Sequence, residues 1–215
     1  MSARVWQGVG MAESAEQVHA RVREAVGDGG RLAAPPSNAW DNFPWEVVDG
    51  AIVPRDLPPP ADEPARAGET PERPCPACFG VPAEQVVWED HNWVLKHLGA
   101  TSGLPLVLIL EPRVHVDFGQ LDDELASEHG RITSRLVRIV ESLDNIARCH
   151  VLRYGDGSEH AHTWIVARTA RLTGVIGSPT IEWDDVLPPG PEDVWRADLH
   201  TVATKLANWG GDART

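Results

Sequence analysis

Positive charge is what this chain has least of: 19 Lys and Arg stand against 32 Asp and Glu, a net charge of −13. Nucleic-acid backbones and anionic membrane surfaces both reward basic patches, so neither is expected as a partner. No apolar run approaches transmembrane length. The N-terminus, Met1-Ser2-Ala3-Arg4-Val5-Trp6, has no hydrophobic signal core. Cysteine is scarce, with three residues, which suits a reducing compartment. These absences together read as a soluble, cytoplasmic protein. They leave room for a small phosphate-bearing ligand, since a few local donors suffice for one.

Tyrosine and phenylalanine are also rare, with one and three residues, whereas tryptophan reaches nine. Most of these indoles are expected in the core. The remainder belong in pockets or interfaces, where the ring N–H finds a partner. At 215 residues and 42% hydrophobic content the chain has enough material for one core with extensions.

The expected organisation is an N-terminal helix and proline-rich extension (1–73), a main domain (74–170) and a C-terminal extension ending in a helix (171–215). Val18, Val22 and Val26 recur at helical spacing within residues 11–26, and Gly27-Asp28-Gly29-Gly30 stops the run. Pro58-Pro59-Pro60-Ala61-Asp62-Glu63-Pro64 reads as a solvated, extended linker. Trp40-Asp41-Asn42-Phe43-Pro44-Trp45 interrupts the proline-rich region, and its three aromatics should pack on something.

Compact structure is expected from Cys75. Val86–Trp88 and Trp93–Leu95 form a hairpin. Leu104–Leu110 reads as a buried central strand, and a long helix runs from Asp122, its N-cap, to Leu143. Strands follow at His150–Tyr154 and His160–Ala167, joined by Gly155-Asp156-Gly157-Ser158. A last helix starts near Pro191 with Trp195, Leu199, Val202, Leu206 and Trp209 on its apolar face, and Gly210-Gly211 ends it. The fold class is α+β: an antiparallel sheet of about five strands with a long helix packed on it.

Chemistry concentrates in His160-Ala161-His162-Thr163-Trp164. In an extended strand alternate side chains share a face, so both imidazoles, Trp164, Val166 and Arg168 point one way. Two imidazoles on one face can hold a metal, attack phosphorus, or divide those roles. The Gly155–Ser158 turn brings backbone N–H groups near an anion. Cys75-Pro76-Ala77-Cys78 has the spacing of a metal knuckle. A redox pair is the rival reading, although no thioredoxin-like helix start follows it. Cys149 reads as a buried strand residue. His91 and His97 sit near the hairpin. His19, His129 and His200 fall on helices and are expected in solvent. Asp122-Asp123-Glu124 reads as helix N-terminal charge, and Asp184-Asp185 as a solvated loop.

In order, these pieces are Cys-x-x-Cys, hairpin, buried strand ending Pro-x-x-His at Pro112–His115, long helix, strand, Gly-rich turn, and a His-x-His strand ending in Arg168. Over residues 74–170 this order resembles the histidine-triad superfamily. The resemblance implies zinc bound by Cys75, Cys78, His115 and His160. Two thiolates and two imidazoles close a tetrahedral site, which is therefore structural. It further implies His162 as the nucleophile, forming a covalent nucleotidyl-histidine at an α-phosphorus. Backbone N–H groups of Gly157 and Ser158 would serve as oxyanion donors. Trp164 and Arg168 complete the substrate-binding strand. A homodimer is implied as well. Trp164 stands where the family carries its third His, and Asp156 and Gly157 stand where it carries phosphate-contacting Gln and Ser/Thr. These departures favour a second reading, a zinc-stabilised nucleotide-binding or interaction module without turnover. The Gly-rich turn and His162 favour a nucleotide hydrolase or nucleotidyl transferase.

Overall fold

Strand-forming residues on either side of Asp90-His91-Asn92 build the first hairpin of the main sheet. Val86–Glu89 (β3) pairs antiparallel with Trp93–His97 (β4). The Asp90 carboxylate accepts from the Asn92 and Trp93 backbone N–H groups at 2.8 and 2.7 Å and so holds the turn. The computed structural model describes residues 12–34 and 43–215. Val107–Pro112 (β5) pairs with β4, and Thr163–Thr169 (β7) lies between β5 and Ile146–Leu152 (β6). With Asp212–Ala213 (β8) the antiparallel sheet runs in the order β6-β7-β5-β4-β3-β8. This is the expected α+β architecture.

Strand boundaries differ from the sequence expectation for local reasons. β5 begins after Pro105, which has no N–H to give a ladder. β6 starts four residues earlier than expected, because Ala147-Arg148-Cys149 carries no run of β-branched residues to announce it. β7 starts at Thr163, so His160 and His162 lie on the approach to the strand rather than within its ladder. There the Ala161 N–H donates to the Val116 carbonyl at 2.8 Å, which lays residues 160–161 beside residues 115–116.

Helix α2 spans Asp123–Glu141, with Asp122 accepting from the Leu125 N–H as the expected N-cap. It buries Ile132, Leu136, Ile139 and Val140 against Leu95, Leu108, Leu110, Ile165 and Ala167 of the sheet. Helix α4, Glu192–Ala207, adds Trp195, Leu199, Val202 and Leu206 to that same core. Trp209 does not join them: it lies two residues past the end of α4, is half-exposed, and has the Arg135 guanidinium over its ring. Gly210-Gly211 does end the helix, and it also turns the chain back so that β8 caps the β3 edge. At Gly211, φ is +74° and a Cβ would lie 2.6 Å from the Trp88 ring, so this close return needs glycine.

The opposite face of the sheet is covered as well. Leu104, Val107, Val166, Val175 and Leu187 form a second cluster, packed by Val22, Leu152, Trp164, Ile181 and Trp183. Helix α1 (Ala15–Val26, capped by a Ser14–Gln17 box) and the short helix α3 (Glu182–Val186) supply this cover. β7 therefore alternates between two buried layers, with Ile165 and Ala167 facing one and Trp164 and Val166 the other.

Within the proline-rich region, Trp45–Val48 (β1) and Ala51–Pro54 (β2) form a separate hairpin. Asp49 and Gly50 both have positive φ, at 50° and 81°. An Asp-Gly pair between strand formers is the sequence signal of such a turn. Residues 57–64 have no regular structure and are exposed. Trp40 lies outside the described residues, whereas Phe43 and Trp45 stack on each other. No helix among the described residues is long and apolar enough to cross a membrane.

Candidate metal centre and nucleophile

Pro76 sets the first turn after Cys75, and a short 3₁₀ segment, Pro76–Phe79, carries Cys78 back toward it, with the Cys78 N–H donating to the Cys75 carbonyl. His115 arrives from the loop after β5 and His160 from the approach to β7. The four ligand atoms of Cys75, Cys78, His115 and His160 lie within 4.8 Å of one another. The Cys75 and Cys78 Sγ atoms are 3.5 and 3.8 Å from the His160 Nδ1, and the Cys78 Sγ is 3.2 Å from the His115 Nδ1. A tetrahedral zinc with S and N bonds of about 2.3 and 2.0 Å sets its S···N edges at roughly 3.5 Å. The four side chains therefore fit such an ion.

The surroundings suit ligand chemistry. The His160 Nε2–H donates to the Pro112 carbonyl at 2.8 Å, which leaves Nδ1 with its lone pair toward the thiols. Burial holds the His160 pKa below the usual imidazole value, favouring the neutral ligand form. The His115 Nε2 faces the Glu159 carboxylate at 3.4 Å. Without a cation, burial and the neighbouring Cys75 push the Cys78 thiol up. Cys75 and His160 are buried, while Cys78 and His115 reach the surface.

The residues that close the centre come from the proline-rich extension, just past the 58–64 linker. Ala67 pairs with the Gly-rich turn: its N–H donates to the Gly157 carbonyl at 3.0 Å and its carbonyl accepts from the Glu159 N–H at 2.9 Å. Gly68, with φ +102°, lies against the centre, where a Cβ would sit 2.8 Å from the His115 Cε1 and 3.3 Å from the Cys75 Cβ. Arg66 donates to Asp117 at 3.0 Å, to the Gly155 carbonyl at 3.2 Å and to Glu69. Arg153, over the Phe118 ring, donates to the other oxygen of Asp117 at 3.3 Å. Burial pushes the Asp117 carboxyl up, but the Phe118 N–H it accepts from and then these two guanidinium groups outweigh it and hold the carboxyl below the usual carboxylate value. Arg66, Gly68, Asp117 and Arg153 escaped the sequence reading, because no motif spacing links them. A second missed feature is a buried ion pair, Glu111 with Lys96 at 2.6 Å, joining β4 to β5 beside the centre.

His162 is half-buried, and its Nδ1–H donates to the His160 carbonyl at 2.8 Å. That bond fixes the tautomer with the lone pair on Nε2. The other strand residues fall elsewhere. Trp164 packs into the second apolar cluster, where its Nε1 is buried without a hydrogen-bond partner among the described residues. Arg168 is half-buried near the far end of β7. Thr163 to Arg168 covers about 16 Å of extended chain, so Arg168 is not brought to His162. The Ser158 hydroxyl is engaged, donating to the Ala67 carbonyl at 3.3 Å and accepting from the His160 N–H at 3.2 Å.

Two further histidines have structural surroundings. His97 is buried between the Glu84 carbonyl and the Gly99 N–H, edge-on to Trp195. His129 corrects the expectation of a solvated helix residue: it bonds Thr163 at 2.9 Å and packs between Trp93 and Phe118. Asp184 corrects the solvated-loop reading, since it is within α3 and accepts from the Leu104 N–H at 2.8 Å. Cys149 is a half-buried strand residue whose thiol burial pushes up to about 12.

No protein-family model and no curated protein matches the sequence. Solved structures with a similar shape include a hypothetical histidine triad nucleotide-binding protein from Sulfolobus tokodaii (14% identity, 58% of this chain and 84% of that chain, TM-score 0.41). A Zn-bound histidine triad family protein from Mycobacterium smegmatis is similar at 15% identity, over 60% of this chain and 87% of that one, with a TM-score of 0.42. A Hit-like protein involved in cell-cycle regulation from Bartonella henselae is similar at 12% identity, over 56% and 85% of the two chains, with a TM-score of 0.39. At such identities and scores these are likenesses of outline; what the centre can do rests on its own geometry.

Proposed function

We propose that this chain is a histidine-triad-like nucleotide hydrolase or nucleotidyl transferase, with His162 as its nucleophile. One observation carries the reading: His162 Nδ1–H is committed to the His160 carbonyl, which leaves Nε2 as the basic, nucleophilic nitrogen of a neutral imidazole. In the first half-reaction Nε2 bonds to the α-phosphorus of a nucleotide conjugate. The bond from phosphorus to the leaving group breaks, and the leaving group departs with its electron pair and takes up a proton. Water or a second acceptor then attacks the same phosphorus, the P–N bond breaks, and neutral His162 is restored. The Gly155–Ser158 turn, pinned by Ala67, is the assigned place for the phosphate oxygens.

Cys75, Cys78, His115 and His160 are the proposed zinc ligands. The ion, when bound, supplies a cross-link between three chain segments and takes no part in the reaction, because the donor set leaves no open position. The proposed assembly is a homodimer.

The second reading, a zinc-stabilised binding module, is favoured by the engaged Ser158 hydroxyl and the inward-packed Trp164. Denatured intact mass after incubation with adenosine and guanosine phosphoramidates and dinucleoside polyphosphates separates the two. The enzyme shows a nucleotidyl adduct and released product, both lost in His162→Ala while fold and metal content persist. Binding without adduct or product establishes the module. Turnover that survives His162→Ala removes His162 as nucleophile.

A further inference from the structure

Aromatic side chains converge a second time, away from the metal centre. Phe43 and Trp45 at the start of the β1–β2 hairpin, Tyr154 after β6, and Trp183 and Pro179 beside α3 line an open cavity of about 430 Å³. That volume falls in the range of small-molecule sites. Phe43 and Trp45 are stacked, with centroids 5.6 Å apart and planes at 27°. Trp183 is anchored on its other side in the second apolar cluster, so its wall is backed by core packing. Trp45 and Tyr154 remain half-exposed, at 50% and 47%. Among the described residues, the only charged side chain in the lining is the Glu182 carboxylate.

Four aromatic rings and a carboxylate, with no Lys, Arg or His among the described lining residues, make a chemically selective surface. Ring faces carry negative electrostatic potential and attract poorly hydrated cations, and an acidic group at the wall adds Coulombic attraction. An anionic ligand meets neither a donor cation among the described lining residues nor a favourable field from a chain of net charge −13. A purely apolar ligand has no use for Glu182.

We infer that this cavity is a binding site for a small organic cation of the alkylated-ammonium class, enclosed by Phe43, Trp45, Tyr154 and Trp183 and paired with Glu182. Burial and the Glu182 charge both hold the Tyr154 phenol above its usual pKa, which places that carboxylate within electrostatic reach of the ring wall. The inference is independent of His162, since it requires binding and no turnover.

Calorimetric titration of the full-length, metal-loaded protein with choline and with 3,3-dimethylbutan-1-ol, its uncharged carbon isostere, tests it. Saturable choline binding is expected, with the isostere weaker on the order of tenfold. Glu182→Gln should weaken choline several-fold and leave the isostere unchanged. Trp45→Ala, at a half-exposed position, should abolish choline binding without altering the melting temperature. Equal affinity for the two probes, no saturable binding of choline, or wild-type affinity in both variants overturns the assignment.

Discussion

Asp198 shows how much one side chain can hold against the fold. It sits on α4, only 3% exposed, and its carboxyl is pushed up to about 7 by burial first and by the charge of Asp144 second. The unfolded chain releases that proton near pH 4, so between about pH 4 and 7 the native state holds more protons. Stability must therefore fall as pH rises through that window and level off above it. Asp198→Asn should be more stable than wild type at pH 8, by at most roughly 4 kcal/mol. The difference should vanish near pH 4 in paired urea melts, and a pH-independent difference would refute the assignment. His162 belongs to the same scale. Its residue type and spacing were legible, whereas the bond that selects its tautomer required the turn at His160 to be folded. The Ser158 hydroxyl was legible as a donor but not as one already taken.

Among the elements, the segment around Arg66–Arg73 departs most from expectation. It belongs to the proline-rich extension and carries no motif of its own, yet it pairs with the Gly-rich turn and lies against the candidate metal ligands. Gly68→Ala places a methyl group against His115 at a backbone angle that L-residues rarely adopt. Such strain costs about 1–3 kcal/mol. The variant should lose metal to a chelator faster than wild type and melt lower, while α2 and the sheet keep their circular dichroism. Unchanged chelator kinetics would detach the segment from the centre. Helix α2 behaves as its sequence says, because capping, dipole and apolar stripe are all local. Asp122→Ala should cost about 1 kcal/mol in a denaturant melt, the typical loss of an N-cap; a loss near zero would mean solvent replaces the cap. The β1–β2 hairpin is equally local in origin, turning at Asp49-Gly50 where both residues have positive φ.

For the whole molecule, the four candidate ligands join segments that are far apart in sequence: the knuckle at 75–78, the loop at 115 and the approach to β7 at 160. A metal binding only the folded arrangement contributes its binding free energy to folding. Chelation should lower the melting temperature by about 10 °C or more for a chain of this size. Re-adding zinc should restore it, and Cys75→Ser should reproduce the loss in the presence of metal. A melting temperature indifferent to chelator would show that the centre is not a cross-link. A native mass spectrum reads both bound metal and the oligomeric state, for which the proposal is a homodimer. The C-terminal segment has its place at this scale too. α4 completes the main core and β8 caps the β3 edge, which blocks one route to edge-to-edge pairing.

What the chain itself determined is whatever depends on neighbours in sequence: the periodic faces of α2 and α4, the β3–β4 hairpin, the alternation of β7, and the Cys and His types able to hold a metal. Tertiary structure alone decided which of those groups meet. It brought Gly68 and Ala67 onto the centre, kept Arg168 at the far end of its strand, turned Trp164 into an apolar layer, and gathered four aromatics around Glu182. Local order is set by backbone geometry and solvation within a few residues. Contacts between distant segments are set by which buried surfaces fit together, and the spacing of residues along the chain does not encode that fit directly.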